Sequence, residues 1–255
     1  MSSKSVKIYG LGWVGKSMRD MFPDAVIVDP AQGLFQNGKV ICDVAFVCVP
    51  TPLLNGEVDG SIVEDVVSNS LEKLIVMRST VMPGTCDKLA DKYGKRIVFQ
   101  PEYLGETQNH VFSNQRERQF MILGGKREDV KEVIELYHQV YNANVTIRQT
   151  DAYTAEVIKL SENRAIAFKV AQCQELYDAC QAAGIDYNEV REAVYSDDPR
   201  FNLWFTFVYP EKRGFTPSKC LGKDVPAWTR WAESVGSTAE LTKAMLEYDY
   251  KLIEN

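Results

Sequence analysis

The first half of the chain alternates short apolar runs with stretches of helical periodicity. Val6–Tyr9 reads as a strand, Trp13–Met21 as the start of a helix, and Ala25–Val28 as a second strand. Asp43–Val49 (DVAFVCV) is almost continuously apolar, as strands covered on both faces are. Further strands are predicted at Leu74–Met77, Ile97–Phe99, Phe120–Leu123 and Val145–Arg148, with a helix from about Arg127 to Tyr141 before the last. Strands separated by helices predict βαβ units and a mostly parallel sheet.

After residue 150 the pattern changes. Asp151–Ala183 contains neither Gly nor Pro, and Ala155, Ile158, Ala165, Phe168, Leu176 and Ala179 recur at helical spacing. One long helix is predicted, stopped by Gly184. Ser196–Gly214 (SDDPRFNLWFTFVYPEKRG) reads as ordered but irregular, and helices are predicted over Val225–Val235 and Thr238–Ile253. The expected fold is α/β: an N-terminal Rossmann domain with a doubly wound parallel sheet over 1–150, then an α-helical central domain over 151–255.

Composition narrows the partners. A net charge of −6 leaves no excess of Lys and Arg to neutralise a phosphate backbone, so nucleic acid is not expected. Local basic pairs, Lys95-Arg96 and Arg116/Arg118, read as solvated surface. No apolar run reaches the roughly 18 residues of a membrane span, and the start, MSSKSVKIYG, lacks a secretory pattern. Six cysteines without C-x-x-C pairs and two histidines, His110 and His138, predict neither a metal site nor disulfides. A cytoplasmic protein with free thiols is expected, and Cys42, Cys48, Cys86, Cys173 and Cys180 read as small buried hydrophobes.

Gly10-Leu11-Gly12-Trp13-Val14-Gly15 follows a strand and opens a helix. In such a turn the first glycine permits the bend, the second admits a pyrophosphate to backbone N–H groups, and the third packs helix against strand. Asp29 ends the second strand 19 positions after Gly10, near the ~20 expected of a carboxylate that grips an adenosine ribose. No Arg follows Asp29 to welcome a 2′-phosphate, so the expected cofactor is NAD.

Further segments close the strands. Val49-Pro50-Thr51-Pro52, Arg78-Ser79-Thr80-Val81-Met82-Pro83-Gly84-Thr85 and Pro101-Glu102-Tyr103-Leu104-Gly105-Glu106 each follow an apolar run, where ligands bind in such sheets. Lys159 and Asn163 lie four apart on one helix face, and Cys220-Leu221-Gly222-Lys223-Asp224 sets a thiol beside a cation and a carboxylate. With GLGWVG, Asp29, AEVIKLSEN and Asp198-Pro199-Arg200, this ordered set resembles the UDP-glucose/GDP-mannose dehydrogenase family over nearly the whole sequence.

The resemblance implies oxidation of a nucleotide-sugar primary alcohol, UDP-linked by expectation, to a carboxylate with two NAD⁺. A thiolate adds to the intermediate aldehyde, and a second hydride transfer leaves a thioester that water hydrolyses. On this pattern Cys220 is the nucleophile, aided by Lys223. Lys159 and Asn163 hold the oxyanion, Asp224 and Thr80 position water, and Glu102 is the base. Leu11, Trp13, Val14, Thr51, Thr80, Glu106 and Lys223 join the glycines and Asp29 around the cofactor. Tyr103, Leu104, Glu106, Lys159, Asn163 and Arg200 face the sugar. The family further implies a homodimer paired through the 151–183 helix.

The sequence departs from that pattern in three ways. The loop Gly214-Phe215-Thr216-Pro217-Ser218-Lys219 has Thr-Pro in place of paired glycines, and Gly222 stands where the family has proline. Only 20 positions separate Asp29 from Val49, fewer than in the family. The family's second Rossmann-like domain has no counterpart before Asn255, so a short form is expected. Two other readings stay open: a two-electron dehydrogenase of the 3-hydroxyacid type, and a non-catalytic NAD-binding regulatory protein.

Overall fold

A computed structural model of the chain describes residues 4–34, 39–105, 118–141 and 144–254. The chain divides into two compact units, one of residues up to Leu54 with Val58–Lys159, the other of Leu160 onward with Asn55–Glu57.

The first unit is built on strands β1 (Val6–Tyr9), β2 (Val26–Val28), β3 (Val44–Val47), β6 (Leu74–Met77), β7 (Arg96–Phe99), β8 (Phe120–Gly124) and β9 (Thr146–Thr150); β4 (Leu53–Leu54) and β5 (Glu57–Val58) form a separate small ribbon. The seven-stranded sheet has the order β2-β1-β3-β6-β7-β8-β9, parallel throughout except where β8 runs against β7. Its helices are α1 (Trp13–Met21), α2 (Ser61–Asn69), α3 (Thr85–Tyr93), α4 (Arg127–Tyr137) and the start of α5 (Ala152–Ala183).

Alternation along the central strands fills two cores. Ile8, Val44, Phe46, Leu74, Val76 and Val98 pack on Met18 and Met21 of α1 and on Val130, Val133 and Leu136 of α4. Their neighbours Ala45, Val47, Ile75, Met77, Ile97 and Phe99 pack on Val63 and Val67 of α2, Cys86 and Leu89 of α3, and Ala152 and Ala155 of α5. Apolar side chains on both faces explain the unbroken runs in the sequence. A consequence for function follows from the parallel pairing: the carboxyl ends of β2, β1, β3, β6 and β7 lie in that order along one edge.

The second unit holds the rest of α5, α6 (Tyr187–Tyr195), α7 (Leu221–Ser234) and α8 (Glu240–Glu254). Gly184, at φ +70°, ends α5 in a conformation that favours glycine. Ala167, Ala171, Phe215, Val225, Met245 and Leu246 form one core there, and Cys173, Cys180, Tyr187 and Tyr195 a second.

Several elements differ from expectation. Helices α2, α3 and α6 are each nine residues long and too short for their periodicity to stand out. Asn55 (φ 52°) and Gly56 (φ 80°) both adopt left-handed conformations, the turn that an Asn-Gly pair suits. The β4–β5 ribbon therefore carried a readable signal that the apolar pattern alone does not show. Helix α4 ends at Tyr137, not Tyr141, and α7 starts at Leu221, four residues before Val225, with Pro226 inside it. No helix among the described residues is long and apolar enough to cross a membrane.

Candidate active site

The glycine turn lies at the head of β1. Gly10 takes φ +87°, and a Cβ there would fall 2.6 Å from the Cys48 carbonyl oxygen. A Cβ on Gly15 would fall 1.9 Å from the Gly10 carbonyl oxygen, so both positions require glycine for packing. Gly12 is different: nothing lies within 4 Å of an added Cβ. No side chain caps α1, and its first turn carries no acidic residue. Open space before uncapped backbone N–H groups is what a pyrophosphate needs, so these residues fit a dinucleotide.

Asp29 is brought to this turn. Its Oδ2 accepts the Leu11 backbone N–H at 2.7 Å and the Gln32 side-chain amide at 2.9 Å. Gln32 also donates to the Leu11 carbonyl at 3.1 Å. Gln32 is not among the expected site residues, because a Gln in a turn carries no motif of its own.

Along the same edge, the Ser79 hydroxyl donates to the Val49 carbonyl at 2.7 Å, tying the Thr80 loop to the Thr51 loop. Thr51 is buried and Thr80 half-buried. Next in order, Glu102 lies buried among cations. Arg78 donates to its Oε2, and the Arg118 guanidinium lies 3.9 Å from its Oε1. That Oε1 also accepts the backbone N–H groups of Tyr103 at 2.6 Å and Leu104 at 2.7 Å. Burial raises the proton affinity of Glu102, but Arg78, Arg118 and the two backbone donors outweigh it and hold the carboxyl below its ordinary range. The expected base is thus a salt-bridged anion, and a carboxylate so stabilised is a weaker base.

Arg118 overturns another expectation. It is 2% exposed, not solvated, and its guanidinium stacks 5.1 Å from the Tyr103 ring and 5.6 Å from the Phe120 ring. Lys95 and Arg96 are also engaged: Lys95 donates to the Ser70 carbonyl at 2.5 Å, and Arg96 pairs with Asp129 at 2.5 Å and Glu132 at 2.6 Å. Charge-run patterns in sequence do not reveal partners that come from other elements of the fold.

Lys159 is 7% exposed, and its ammonium lies 5.6 Å from the centroid of the Tyr103 ring. One turn earlier on α5, Glu156 is fully buried. Its Oε2 accepts the Gly84 N–H at 2.5 Å and its Oε1 the Cys86 N–H at 2.9 Å, which caps the N-terminal turn of α3 behind the Thr80 loop. Burial pushes the Glu156 carboxyl up to about 7, against the opposing hydrogen bonds from Cys86 and Gly84. Glu156 falls within the AEVIKLSEN stretch, but in a helix rich in polar residues nothing in the sequence marks it as buried.

In the second unit, the Asn163 amide donates to Asp224 Oδ2 at 2.6 Å, and the Lys223 ammonium lies 3.1 Å from Asp224 Oδ1. Asn163 and Asp224 are buried at 7% and 1% exposure. Cys220 sits at the N-cap of α7 and is exposed, whereas Cys42, Cys86, Cys173 and Cys180 are buried and Cys48 is half-buried. Burial pushes the Cys48 thiol up to about 12. Arg200 is exposed and folded onto Asp198, Nε to Oδ1 at 2.9 Å and Nη2 to Oδ2 at 2.5 Å. Glu106, His110 and Arg116 lie outside the described residues; His138 is exposed.

The UDP-glucose/GDP-mannose dehydrogenase family matches through its NAD binding domain over residues 32–145 and its central domain over 153–250. The chain belongs to this family. It is similar to a UDP-glucose 6-dehydrogenase of Rickettsia typhi, 26% identical over 229 residues, covering 84% of this chain and 50% of that protein. A GDP-mannose 6-dehydrogenase of Pseudomonas aeruginosa is 29% identical over 216 residues, covering 76% of this chain and 48% of that one. This family member therefore spans about half the length of the curated relatives it matches.

The fold is shared with a UDP-glucose dehydrogenase from the archaeon Pyrobaculum islandicum: TM-score 0.80 at 20% identity, 98% of this chain and 68% of that one. A 3-hydroxyisobutyrate dehydrogenase of Mycobacterium tuberculosis shares it too: TM-score 0.74 at 16% identity, 97% of this chain and 93% of that one. Membership makes NAD the cofactor of the first unit, in keeping with its open Gly12 and uncapped α1.

Proposed function

We propose that this chain oxidises the primary alcohol of a nucleotide sugar to a carboxylate, in the manner of a UDP-glucose 6-dehydrogenase. The observation that carries this reading is the state of Cys220 within a family of nucleotide-sugar dehydrogenases. It is exposed at the N-terminal end of α7, three residues before the Lys223–Asp224 pair, while four other thiols are buried. A thiolate is favoured at a helix N-terminus and beside a cation.

NAD, when bound, accepts the hydrides. The chain's own residues do the rest. Gly12, Trp13 and Val14 would offer backbone N–H groups to the dinucleotide phosphates, Gly10, Leu11 and Gly15 shape the turn that presents them, and Asp29, which holds the Leu11 N–H, would face the ribose. The Cys220 thiolate attacks the aldehyde carbon. Lys159 and Asn163 supply a cation and an amide toward the oxygen on which negative charge develops, and Asp224 fixes the Asn163 amide. Asp224 and Thr80 hold the water that cleaves the thioester. Glu102 anchors the 102–104 turn, and takes a proton from that water only as Arg78 and Arg118 loosen their grip. Arg200 reaches the substrate once it leaves Asp198. The protein acts in the cytoplasm as a homodimer paired through α5.

The test is NADH formation from UDP-glucose, UDP-N-acetylhexosamines and GDP-mannose. Two NADH per sugar on one of them is the expected result. One NADH per substrate, with indifference to Cys220→Ala, would identify a two-electron dehydrogenase instead. Tight NAD binding without turnover on any alcohol would identify a non-catalytic NAD-binding protein.

A further inference from the structure

Asp249 on α8 is fully buried, and among the described residues no ammonium or guanidinium pairs with it. Among the described residues, its side-chain hydrogen bonds go to one loop. Oδ1 accepts the Phe215 N–H at 2.8 Å, and Oδ2 accepts the Thr216 N–H at 2.9 Å and the Thr216 hydroxyl at 2.6 Å. A buried carboxylate without a cation is costly unless charge-assisted donors satisfy it, so these three bonds are what keeps it there.

The loop is shaped to receive it. Gly214 takes φ +79°, and a Cβ there would fall 2.9 Å from Asp249 Oδ1 and 2.7 Å from Ile253 Cγ2. Phe215, 2% exposed, is buried with Val225, Met245 and Leu246. Thr216 is gripped on its other side by α7, because a Cβ on Gly222 would fall 2.2 Å from the Thr216 carbonyl oxygen. From Thr216 the chain passes directly to Cys220. The Ser218 N–H donates to the Phe215 carbonyl at 3.0 Å, the Gly222 N–H to the Ser218 carbonyl at 2.9 Å, and the Asp224 N–H to the Cys220 carbonyl at 2.8 Å. The two departures from the family pattern in this stretch, Thr216 and Gly222, meet each other in the fold. The hydroxyl of Thr216 adds a bond to Asp249, and the bare Gly222 makes room for the Thr216 carbonyl.

From this we infer that Asp249 is a positioning residue: through Thr216 it holds the loop that carries Cys220, and so fixes where the thiol sits. The inference rests on the proposed role of Cys220, but it is testable without turnover. Two quantities are measured on the full chain: the rate of Cys220 alkylation by iodoacetamide, followed on its peptide by mass spectrometry, and amide hydrogen exchange over 214–222.

In Asp249→Asn, exchange at Phe215 and Thr216 is expected to accelerate about tenfold, as loss of a charge-assisted hydrogen bond predicts. The Cys220 alkylation rate changes with it, while NAD affinity is unaltered. Thr216→Val gives a smaller change in the same direction, and Thr216→Ser restores the native values. Should Asp249→Asn not be recovered folded, Thr216→Val and Thr216→Ser carry the comparison. If an active substrate is in hand, kcat falls in these variants more than KM changes.

Unchanged exchange and unchanged alkylation in folded variants would overturn the inference. So would loss of protection spread evenly over α6, α7 and α8, which would mark a general stabilising role. Absence of turnover with every sugar, alongside the predicted alkylation change, would instead defeat the proposed function and leave the clamp standing.

Discussion

Two loops in this protein solve the same physical problem with parts drawn from different distances. At Gly10–Gly15 a buried carboxylate, Asp29, takes a backbone N–H of the turn, and two glycines allow backbones to touch. At Gly214–Gly222 a buried carboxylate, Asp249, takes two backbone N–H groups, and two glycines again allow the approach. The first carboxylate comes from the next strand, 18 residues from its partner Leu11; the second from the last helix, 34 residues from Phe215. Recurrence of one βαβ unit makes the first spacing a motif. No supersecondary unit fixes the second, and it emerges only when α8 packs beside α7.

Glycine substitutions separate packing from ligand space in that comparison and carry the largest effects. Gly15→Val places side-chain atoms against the Gly10 carbonyl, and we expect loss of about 3 kcal/mol or more of stability and no measurable NAD binding by calorimetry. Gly12→Val leaves the melting temperature within about 2 °C of native, because nothing lies near its Cβ, yet weakens NAD binding about a hundredfold. Equal destabilisation by both would contradict the assignment of open space at Gly12. On the other loop, Gly222→Ala meets the Thr216 carbonyl and costs about 2–3 kcal/mol by denaturant unfolding, with NAD affinity preserved.

Two buried carboxyl groups of the first unit give opposite pH signatures. Glu156 has its folded value raised to about 7. Between its ordinary range and about 7 the folded protein holds a proton that the unfolded chain has released. Stability therefore declines as pH rises through that window and levels off above it, by up to about 3 kcal/mol. Glu156→Gln should flatten thermal stability between pH 5 and 8; an unaltered slope would contradict the assignment. Glu102, held low by Arg78 and Arg118, contributes stability above its ordinary range and loses it as pH falls through the folded value. Arg118→Met, the smallest expected effect, should bring the folded Glu102 value back toward its ordinary range and so flatten that acid limb by about 1 kcal/mol, while unfolding at pH 8 remains cooperative.

The same contrast explains what was legible in the sequence. The sheet, the long α5 and the glycine turn could be read because each is local: continuous apolar runs, a helical period, a fixed motif. The five segments expected to follow strands do so, and parallel pairing collects those strand ends on one edge. Arg118, Glu156 and Asp249 could not be read, since a buried charge looks like a surface charge until its partners, drawn from other elements, are known. Glu102 was noticed as a carboxylate, but its ionisation depends on Arg78 and Arg118, which no spacing rule connects to it.

The sulfur of residue 220 is tested by comparing native protein with Cys220→Ala on the best nucleotide sugar in saturating NAD⁺. Native protein is predicted to yield two NADH and one uronate carboxylate per sugar, and the alanine variant no carboxylate, at undiminished NAD affinity. Full conversion to carboxylate by the alanine variant would rule out a covalent role for Cys220.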